Sequence, residues 1–571
     1  MSRALELVER LSQRWRLRGG GNPGFDAAVD DVVDYLESGG FSRAGEVTVV
    51  EGPLTLQPRA WDVEAASLEL LQPHQELLHS FEETPTLVAK YSRPTPEEGV
   101  IGDLVDVGGG EHEEDYEGLT VEGRIVLGRG HIAELFEQAV VRRGALGVVS
   151  DRLRKEEFRQ RYPSMVLAGK LPFPDGDTGE VPNGWGLKIS PSTADRLRDL
   201  LREGKARVRV RLSASFFESS QRGVVAKIRG ATHPQEKIVL VSHLDNNAPG
   251  ANNNASGVAT HAELARLLAT AIAEGRLEPP SRSLVFLIGV EHELSKRWLD
   301  ELDGDANEAV AMINADMTGA DTDKTGGIYR LERLPDPTMS HAREPEFQTQ
   351  LDERSGWGFR PLDIDPYPGH YLGSLIWLVA QQTAAESGRP ILSSPFEGGS
   401  DHDDFLSRRV PAVLSWYWED PFLSTNLDTP DKVSPESMRF VAQVNGLAAL
   451  QLASASTAAS AELVGVLRDE AARRLRLELE AGRGGLLKAA SADSAGGLAA
   501  ALADERMRME LWGDWYQQAI EALIELPVDP VSEKQRMELL AAGAEAKAAY
   551  AVGMEQLEAL VGDLNPTSEE P

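Results

Sequence analysis

Three apolar runs of the sequence each lead into histidine or carboxylate side chains, the residue types that bind metal ions and transfer protons. The runs occupy residues 237–242, 284–290 and 309–314. The polar side chains that follow them are His243, Asp245, Glu291, His292 and Asp316. Apolar runs of this length, bounded by polar residues, are typical of buried β-strands. Because ligands bind beyond the carboxyl ends of strands in open α/β sheets, we expect these side chains to surround one crevice.

The spacing of these residues indicates how they would share the chemistry. In a His-x-Asp sequence such as His243 to Asp245, the carboxylate can hold the second ring nitrogen of a metal-binding imidazole. Glu291 could supply a general base next to a metal ligand at His292. A single His-x-Asp is more often a pair of solvated residues at a strand end. Three strand ends that converge favour a metal-dependent hydrolase instead.

The segments around these runs have the patterns of elements that would complete a layered α/β domain. A Gly-bounded loop at 250–257 precedes a helical pattern at 258–274, and a fourth apolar run lies at 410–416. Further helical patterns occur at 4–16, 26–38, 372–386, 435–454 and, as two or three long helices, 455–561. Alternating strands and helices between 119 and 212 predict a smaller α/β unit. Residues 318–370 are only weakly periodic, and a loop of that length is usually functional or disordered.

Composition limits the class of partner. The chain has 571 residues, with 58 Lys and Arg against 91 Asp and Glu, and a formal net charge of −33. Nucleic acid and anionic membranes bind basic surfaces, so neither is an expected partner. The sequence contains no cysteine, which excludes disulfides and thiolate metal sites. No apolar run approaches the ~18 residues of a membrane span, and the charged start lacks a signal-peptide core, so we expect a cytoplasmic protein.

The order of these motifs resembles the co-catalytic zinc aminopeptidase family, whose relatives include leucine aminopeptidases, glutamate carboxypeptidase II, glutaminyl cyclase and the transferrin receptor. The matching stretches are His243-Leu-Asp245, Gly250–Gly257, Glu291-His292, Asp316-Met-Thr-Gly319 and Ser424–Thr429. Ser400-Asp-His402 matches the turn that precedes the last strand in that family. The order and spacing of the whole set are more specific than any one motif.

The resemblance implies an α/β fold in which helices sandwich a mixed β-sheet. It also implies an inserted protease-associated α/β domain, which covers the cleft in some members, and a C-terminal helical domain. The corresponding division is 1–90 and 218–455 for the two parts of the peptidase-like domain, 91–217 for the insert and 456–571 for the helices. The long helices suggest a homodimer.

The metal ligands depart from the pattern of the family. Five ligands are implied, and only His243 and Asp316 are retained. The residues at the other three positions are Asn253, His292 and Ser424. The general-base position is kept as Glu291, and Asp245 is kept beside the first histidine.

These departures change the expected number of metal ions. A neutral amide at Asn253 cannot offset the repulsion between two cations as a bridging carboxylate does. It still offers a carbonyl oxygen, a ligand better suited to cations harder than zinc. His243, Asp316 and a borrowed His292 would form a three-ligand site with one open position. We therefore expect a single divalent ion, with zinc as the first choice.

The resulting hypothesis is an aminopeptidase-like, metal-dependent hydrolase of short peptides or small amides, with Glu291 and Asp245 in the catalytic roles. One alternative is a member without catalysis that binds a peptide or protein, which the altered ligands and the receptor resemblance allow. A second is an acyl transfer or cyclisation with one metal on the same fold. The aromatic run 416–418 could line a substrate pocket, although aromatic residues at a strand end are as often part of the core. His402 could replace a lost ligand, but the turn around it is the more common role.

Overall fold

The computed structural model describes residues 1–14, 17–55, 59–172, 183–204, 206–301, 308–358, 362, 366–492 and 497–564. These residues form two β-sheets, the helices that accompany them and a group of long C-terminal helices. None of the described helices combines the length and the apolar character that crossing a membrane requires.

The first sheet contains eight strands. They are β1 (Glu46–Pro53), β9 (Ser220–Ile228), β10 (His233–His243), β11 (Arg282–Gly289), β12 (Ala309–Ala315), β13 (Ile328–Glu332), β14 (Ile391–Ser394) and β15 (Ala412–Trp418). Their order across the sheet is β1-β9-β11-β10-β12-β15-β13-β14. The central strands β11, β10, β12 and β15 run parallel, and β9 and β13 pair antiparallel at either side. All four predicted apolar runs lie in this parallel centre, because strands covered on both faces must be apolar throughout.

Helices cover both faces of the first sheet. They are α1 (Ser2–Glu9), α2 (Pro23–Ser38), α6 (Gly257–Ala273), α7 (Glu293–Glu301), α10 (Leu372–Ser387), α11 (His402–Ser407) and α12 (Pro435–Ala453). The expected α/β fold with a helix-covered mixed sheet is therefore confirmed. Residues 318–370 hold more structure than their weak periodicity indicated: the short helices α8 (Thr322–Thr325) and α9 (Pro337–Ser340) and the strand β13.

The second sheet, with its helices, is called the inserted unit and spans residues 60–217. Its strands are β2 (Ala60–Gln72), β3 (Glu76–Ser80), β4 (Val100–Asp106), β5 (Ile125–Gly128), β6 (Gly147–Ser150), β7 (Gly186–Lys188) and β8 (Arg207–Phe217), in the order β3-β2-β8-β4-β5-β6-β7. Its helices are α3 (Ile132–Phe136), α4 (Glu157–Arg161) and α5 (Pro191–Glu203). This sheet begins at Ala60, so residues 60–90 join the inserted unit and not the N-terminal part that the sequence suggested. The long pairing of β2 with β8 causes the difference, because local patterns do not reveal it.

The inserted unit leaves and re-enters the first sheet at neighbouring positions. Strands β1 and β9 flank it in the sequence and pair antiparallel along their whole length, with Pro53 opposite Ser220. The inserted unit also has apolar clusters of its own, separate from the core of the first sheet. It is thus an insertion at the tip of a β-hairpin.

Three long helices follow the first sheet: α13 (Thr457–Ser491), α14 (Gly497–Glu521) and α15 (Glu533–Leu564). Apolar residues of these helices, among them Leu467 and Trp512, belong to the same core cluster as the first sheet. Buried ion pairs fasten the segment after α9 to these helices, because Arg343 contacts Glu478 and Glu505, each at 2.7 Å. The predicted helical C-terminal region is therefore present and packs on the core.

Candidate metal centre

Three of the expected side chains come together at the carboxyl edge of the first sheet. His243 ends β10, Glu291 follows β11 and Asp316 follows β12. Because β10 lies between β11 and β12, these three strand ends are neighbours. Each side chain offers one ligand atom, and the three atoms lie within 4.8 Å of one another. In the described parts of the chain, no other group of three or more His and carboxylate side chains meets this separation.

The imidazole of His243 lies between two carboxylates. Its Nε2 is 3.3 Å from Oδ1 of Asp316, and its Nδ1 is 3.1 Å from the backbone oxygen of Asp245. Burial lowers the pKa of His243, but the charges of Glu291 and Asp316 outweigh it and raise the pKa well above the usual value. Such an excess of negative charge around one buried imidazole is what a divalent cation would neutralise, so these residues fit a metal ion.

Glu291 has the properties of a group that exchanges protons near neutral pH. Its backbone N–H donates to Oδ1 of Asp245 at 2.8 Å, which fixes the start of the turn after β11. Burial, and then the charge of Asp316, raise the pKa of Glu291 to about 7, although His243 acts in the opposite direction. A carboxyl with a pKa near the working pH suits general acid–base catalysis.

The turn 398–402 orients the aspartate of the group. Asn314 Nδ2 donates to Oγ of Ser400 at 2.9 Å, and this hydroxyl donates to Oδ2 of Asp316 at 3.1 Å. His402 does not join the group, because its Nε2 lies 2.9 Å from Oε1 of the buried Glu332. The observed contacts therefore agree with the turn role for His402. Neither Asn314 nor Glu332 could be assigned from the sequence, since each acts across the sheet.

His292 is placed differently from the borrowed ligand that the sequence suggested. It has a left-handed backbone (φ 63°), and Oδ1 of Asp401 accepts its backbone N–H at 2.9 Å. Its Nδ1 lies 2.8 Å from Oδ2 of Asp404. Burial opposes protonation, but this contact and the charge of Glu291 raise the pKa of His292 to about 9. The group of three contains Glu291, the expected base, and does not contain His292.

The loop before α6 carries the residue at the bridging position. The carboxylate of Asp428 accepts the backbone N–H of Asn252 at 2.7 Å and that of Asn253 at 3.1 Å. Oδ1 of Asn253 is buried and has no hydrogen-bond partner in the described residues. An unpaired buried acceptor is uncommon in folded proteins, and it fits a neutral oxygen ligand. Asp428 thus anchors this loop and is not a free carboxylate of the cleft.

Two further features near the centre escaped the sequence analysis. Arg18 is fully buried and donates to the backbone oxygens of Leu244 and Pro249, at 2.9 and 3.0 Å, so it holds the loop that follows His243. The carbonyl of Ser424 accepts from the backbone N–H of Ala168 at 2.8 Å, which places the inserted unit on the last loop of the cleft. For Arg18, the only signal in the sequence was its place in a Gly-rich turn, and such a place does not indicate that an arginine is buried.

Comparisons with known proteins agree with this geometry. Residues 223–351 match the model of Peptidase family M28. The probable lipoprotein aminopeptidase LpqL of Mycobacterium tuberculosis is 27% identical over 321 residues, which are 52% of this chain and 54% of the relative. A probable zinc metalloprotease of Leptosphaeria maculans is 28% identical over 210 residues, 33% of this chain and 45% of the relative. The chain thus spans about half the length of these curated relatives.

Solved structures show the same fold. A zinc aminopeptidase from Bacillus subtilis superimposes with a TM-score of 0.53 at 18% identity, over 79% of this chain and 94% of that one. A peptidase M28 precursor from Shewanella amazonensis gives a TM-score of 0.53 at 18% identity, over 79% and 93%. The names of these relatives agree with the expected class, a zinc-dependent metallo-aminopeptidase-like hydrolase, while the cytoplasmic location and the homodimer stay predictions. The chain therefore has the fold of these solved structures, and the segment that carries its candidate metal centre matches the model of Peptidase family M28.

Proposed function

We propose that this protein is a metal-dependent peptidase of the aminopeptidase type that works with a single zinc ion. The observation that carries the proposal is the convergence of His243, Glu291 and Asp316 within 4.8 Å inside the segment that matches the peptidase family. In this proposal His243 and Asp316 hold the zinc and Glu291 stays free as the base, while the side-chain oxygen of Asn253 would be the third ligand of a site with one open position, as is typical of catalytic zinc. The lost bridging carboxylate favours one ion over two.

The residues of the site have separate tasks in this proposal. His243 and Asp316 would hold the metal, which supplies the positive charge that polarises a scissile carbonyl and makes water more acidic. Asp245 lies 3.5 Å from Nδ1 of His243 and orients its ring. Glu291 accepts the proton of the attacking water and delivers it to the leaving amine. Asn253 offers a neutral oxygen that can support the ion without adding charge.

The inserted unit would restrict the substrate to short peptides or small amides. Arg154 Nη2 donates to the backbone oxygen of Leu423 at 2.7 Å, and Val166 N–H donates to Oδ1 of Asn426 at 2.7 Å. These contacts hold the unit against the loop that contains Ser424, at the edge of the metal centre. We infer that it corresponds to the protease-associated insert of the resemblance, because it occupies the expected place in the chain and contacts the loop that contains Ser424.

Metal content and peptidase activity test the proposal together. Protein purified without added metal should contain about one zinc per chain and should release N-terminal residues from short peptides. A chelator should abolish the activity and zinc should restore it. His243→Ala should lose the zinc and the activity, whereas His341→Ala, a change at a distant surface histidine, should keep both. A chain that holds no metal and cleaves no peptide, but binds peptides, would favour the alternative without catalysis.

A further inference from the structure

Tryptophan side chains form a wall beside the candidate metal centre. Trp416 and Trp418 stack with ring centroids 5.1 Å apart, and Trp357 meets Trp418 edge-on at 5.4 Å. Trp416 and Trp418 belong to one apolar cluster with Met317, the residue after Asp316. Trp357 is 42% exposed. The wall thus connects Met317, the neighbour of Asp316, through the buried rings of Trp416 and Trp418 to the exposed ring of Trp357.

Arg330 stands next to this wall on the neighbouring strand. The register of β13 and β15 sets Arg330 directly opposite Trp416, and side chains of directly opposed residues share a face with Cβ atoms about 5 Å apart. On the other side, Ala315 of β12 pairs with Ser415 of β15, so Asp316 follows beside Trp416. Trp416 therefore lies between the aspartate of the metal centre and a guanidinium.

Both residues carry buried hydrogen-bond donors without an acceptor. Trp416 is 3% exposed, and its indole N–H has no partner in the described residues. The Nε of Arg330 is likewise buried and unpaired within the described part of the chain. A buried donor that has lost its hydrogen bond to water and has gained no other acceptor is destabilising. Two such donors side by side indicate a place where another molecule supplies the acceptor.

The carboxylates near Arg330 do not accept its buried Nε–H, so this donor is available to a ligand. Burial lowers the pKa of Arg330, and the carboxylates of Glu353 and Glu397 oppose this effect. Neither carboxylate accepts from the buried Nε. Glu397 instead accepts the backbone N–H of Ser355. The planar fork of a guanidinium matches a carboxylate, with which it forms two parallel hydrogen bonds.

We propose that Arg330 and the indole N–H of Trp416 bind a carboxylate of the substrate, while the carbon chain that bears it packs against Trp418 and Trp357. The substrates would accordingly be acidic peptides or amides, an assignment that rests on the proposed peptidase function. The carboxylate can belong to an acidic N-terminal side chain or to the free C-terminus of a dipeptide. Both present the same group to Arg330.

Binding of a simple dicarboxylate tests the subsite without turnover. Glutarate should change the fluorescence of the tryptophan wall in a saturable way, and neutral glutaramide should not. Arg330→Gln should weaken glutarate binding by about tenfold to a hundredfold, as expected for a lost hydrogen bond to a charged group. Trp416→Phe should weaken it less, because the ring remains, and Arg330→Lys should be intermediate. Arg389→Gln is the control, since Arg389 approaches Tyr417 on the opposite face of β15.

Substrate pairs distinguish the two sources of the carboxylate. Glu-Ala amide against Gln-Ala amide tests the side chain, and Leu-Ala against Leu-Ala amide tests the C-terminus. The acidic member of one pair should have at least a tenfold higher kcat/KM, and Arg330→Gln should remove the difference with the zinc content unchanged. Equal kcat/KM values within both pairs would overturn the proposal. An affinity for glutarate that is unchanged in Arg330→Gln would overturn it as well. If no peptide is cleaved but glutarate binding still depends on Arg330, including in His243→Ala, the subsite stands and the peptidase function fails.

Discussion

Replacement of Glu291 by glutamine is the most direct test of the proposed mechanism. Glutamine keeps the size and the hydrogen bonding of the side chain but cannot accept the proton of the attacking water. The backbone hydrogen bond from residue 291 to Asp245 does not depend on the side chain, so the turn should be retained. The variant therefore removes proton transfer and leaves the fold in place.

The expected loss follows from the surroundings of the carboxyl. One ligand atom of Glu291 lies within 4.8 Å of the ligand atoms of His243 and Asp316. Burial and the charge of Asp316 raise the pKa of Glu291 to about 7, so the carboxyl is suited to take up and release a proton near neutral pH. General acid–base catalysis contributes ~10²–10⁴-fold. We expect kcat to fall by that factor, which is roughly 2.7–5.5 kcal/mol of activation free energy.

The assay measures kcat/KM on a short peptide together with the zinc content of each variant. Glu291→Gln should bind zinc normally and lose turnover, whereas His243→Ala should lose zinc and, as a result, its activity. Glu301→Gln serves as a control, because Glu301 lies at the exposed end of α7 and, within the described part of the chain, its ion pair is with Arg297 on its own helix. Full activity of Glu291→Gln would refute the reasoning. Loss of zinc in that variant would show that Glu291 completes the ligand set instead of acting as the base.

Three further predictions concern metal content and stability. Exhaustive dialysis should leave at most one divalent ion per chain, and two equivalents by elemental analysis would mean that Asn253 and other neutral groups can hold a second. Arg343→Ala should remove one of the two arginine partners of each of the buried carboxylates of Glu478 and Glu505, which keep Arg474 and Arg508, and should lower the free energy of unfolding by ~1.5–3 kcal/mol in urea. Lys488→Ala, at an exposed pair, should cost less than ~1 kcal/mol. Burial lowers the pKa of His261 from 6.5 to about 3. The neutral, buried imidazole therefore contributes fully to the free energy of unfolding above pH 6.5. Between pH 6.5 and pH 3 this contribution should fall by about 1.4 kcal/mol per pH unit, because the unfolded chain binds a proton there and the folded chain does not. Acid titration of the unfolding free energy of His261→Gln should lack that part of the slope, and an unchanged slope would contradict the assigned pKa.

The elements that local pattern determines could be predicted from the sequence, and the elements that distant pairing determines could not. The four parallel strands of the first sheet were visible because burial on both faces demands continuous apolar runs. The strand β13 could not be predicted, because its five residues, Ile-Tyr-Arg-Leu-Glu, form neither a continuous apolar run nor a strict polar–apolar alternation, and their strand conformation depends on pairing with β15 and β14. The start of the inserted unit was missed for the same reason.

In the site, too, local pattern predicts some features, while others depend on contacts between residues distant in the sequence. His243, Glu291 and Asp316 could be placed together because each follows a predicted strand of one parallel sheet. The separation of His292 from the group could not be foreseen, because it depends on a left-handed backbone at His292 and on its contact with Asp404. The position of Arg330 beside Trp416 is likewise a property of register, not of sequence distance.

The hairpin position of the inserted unit has a consequence for how such proteins can change. Because Pro53 and Ser220 are cross-strand neighbours, the chain enters and leaves the unit through adjacent points. A short turn could close that gap without altering the register of the first sheet, so the whole unit could be removed or replaced as one piece. Under the proposed function, substitutions in it would reshape access to the metal centre while the ligands stay at the ends of strands of the first sheet. Selectivity and chemistry are thereby free to evolve at different rates in one polypeptide.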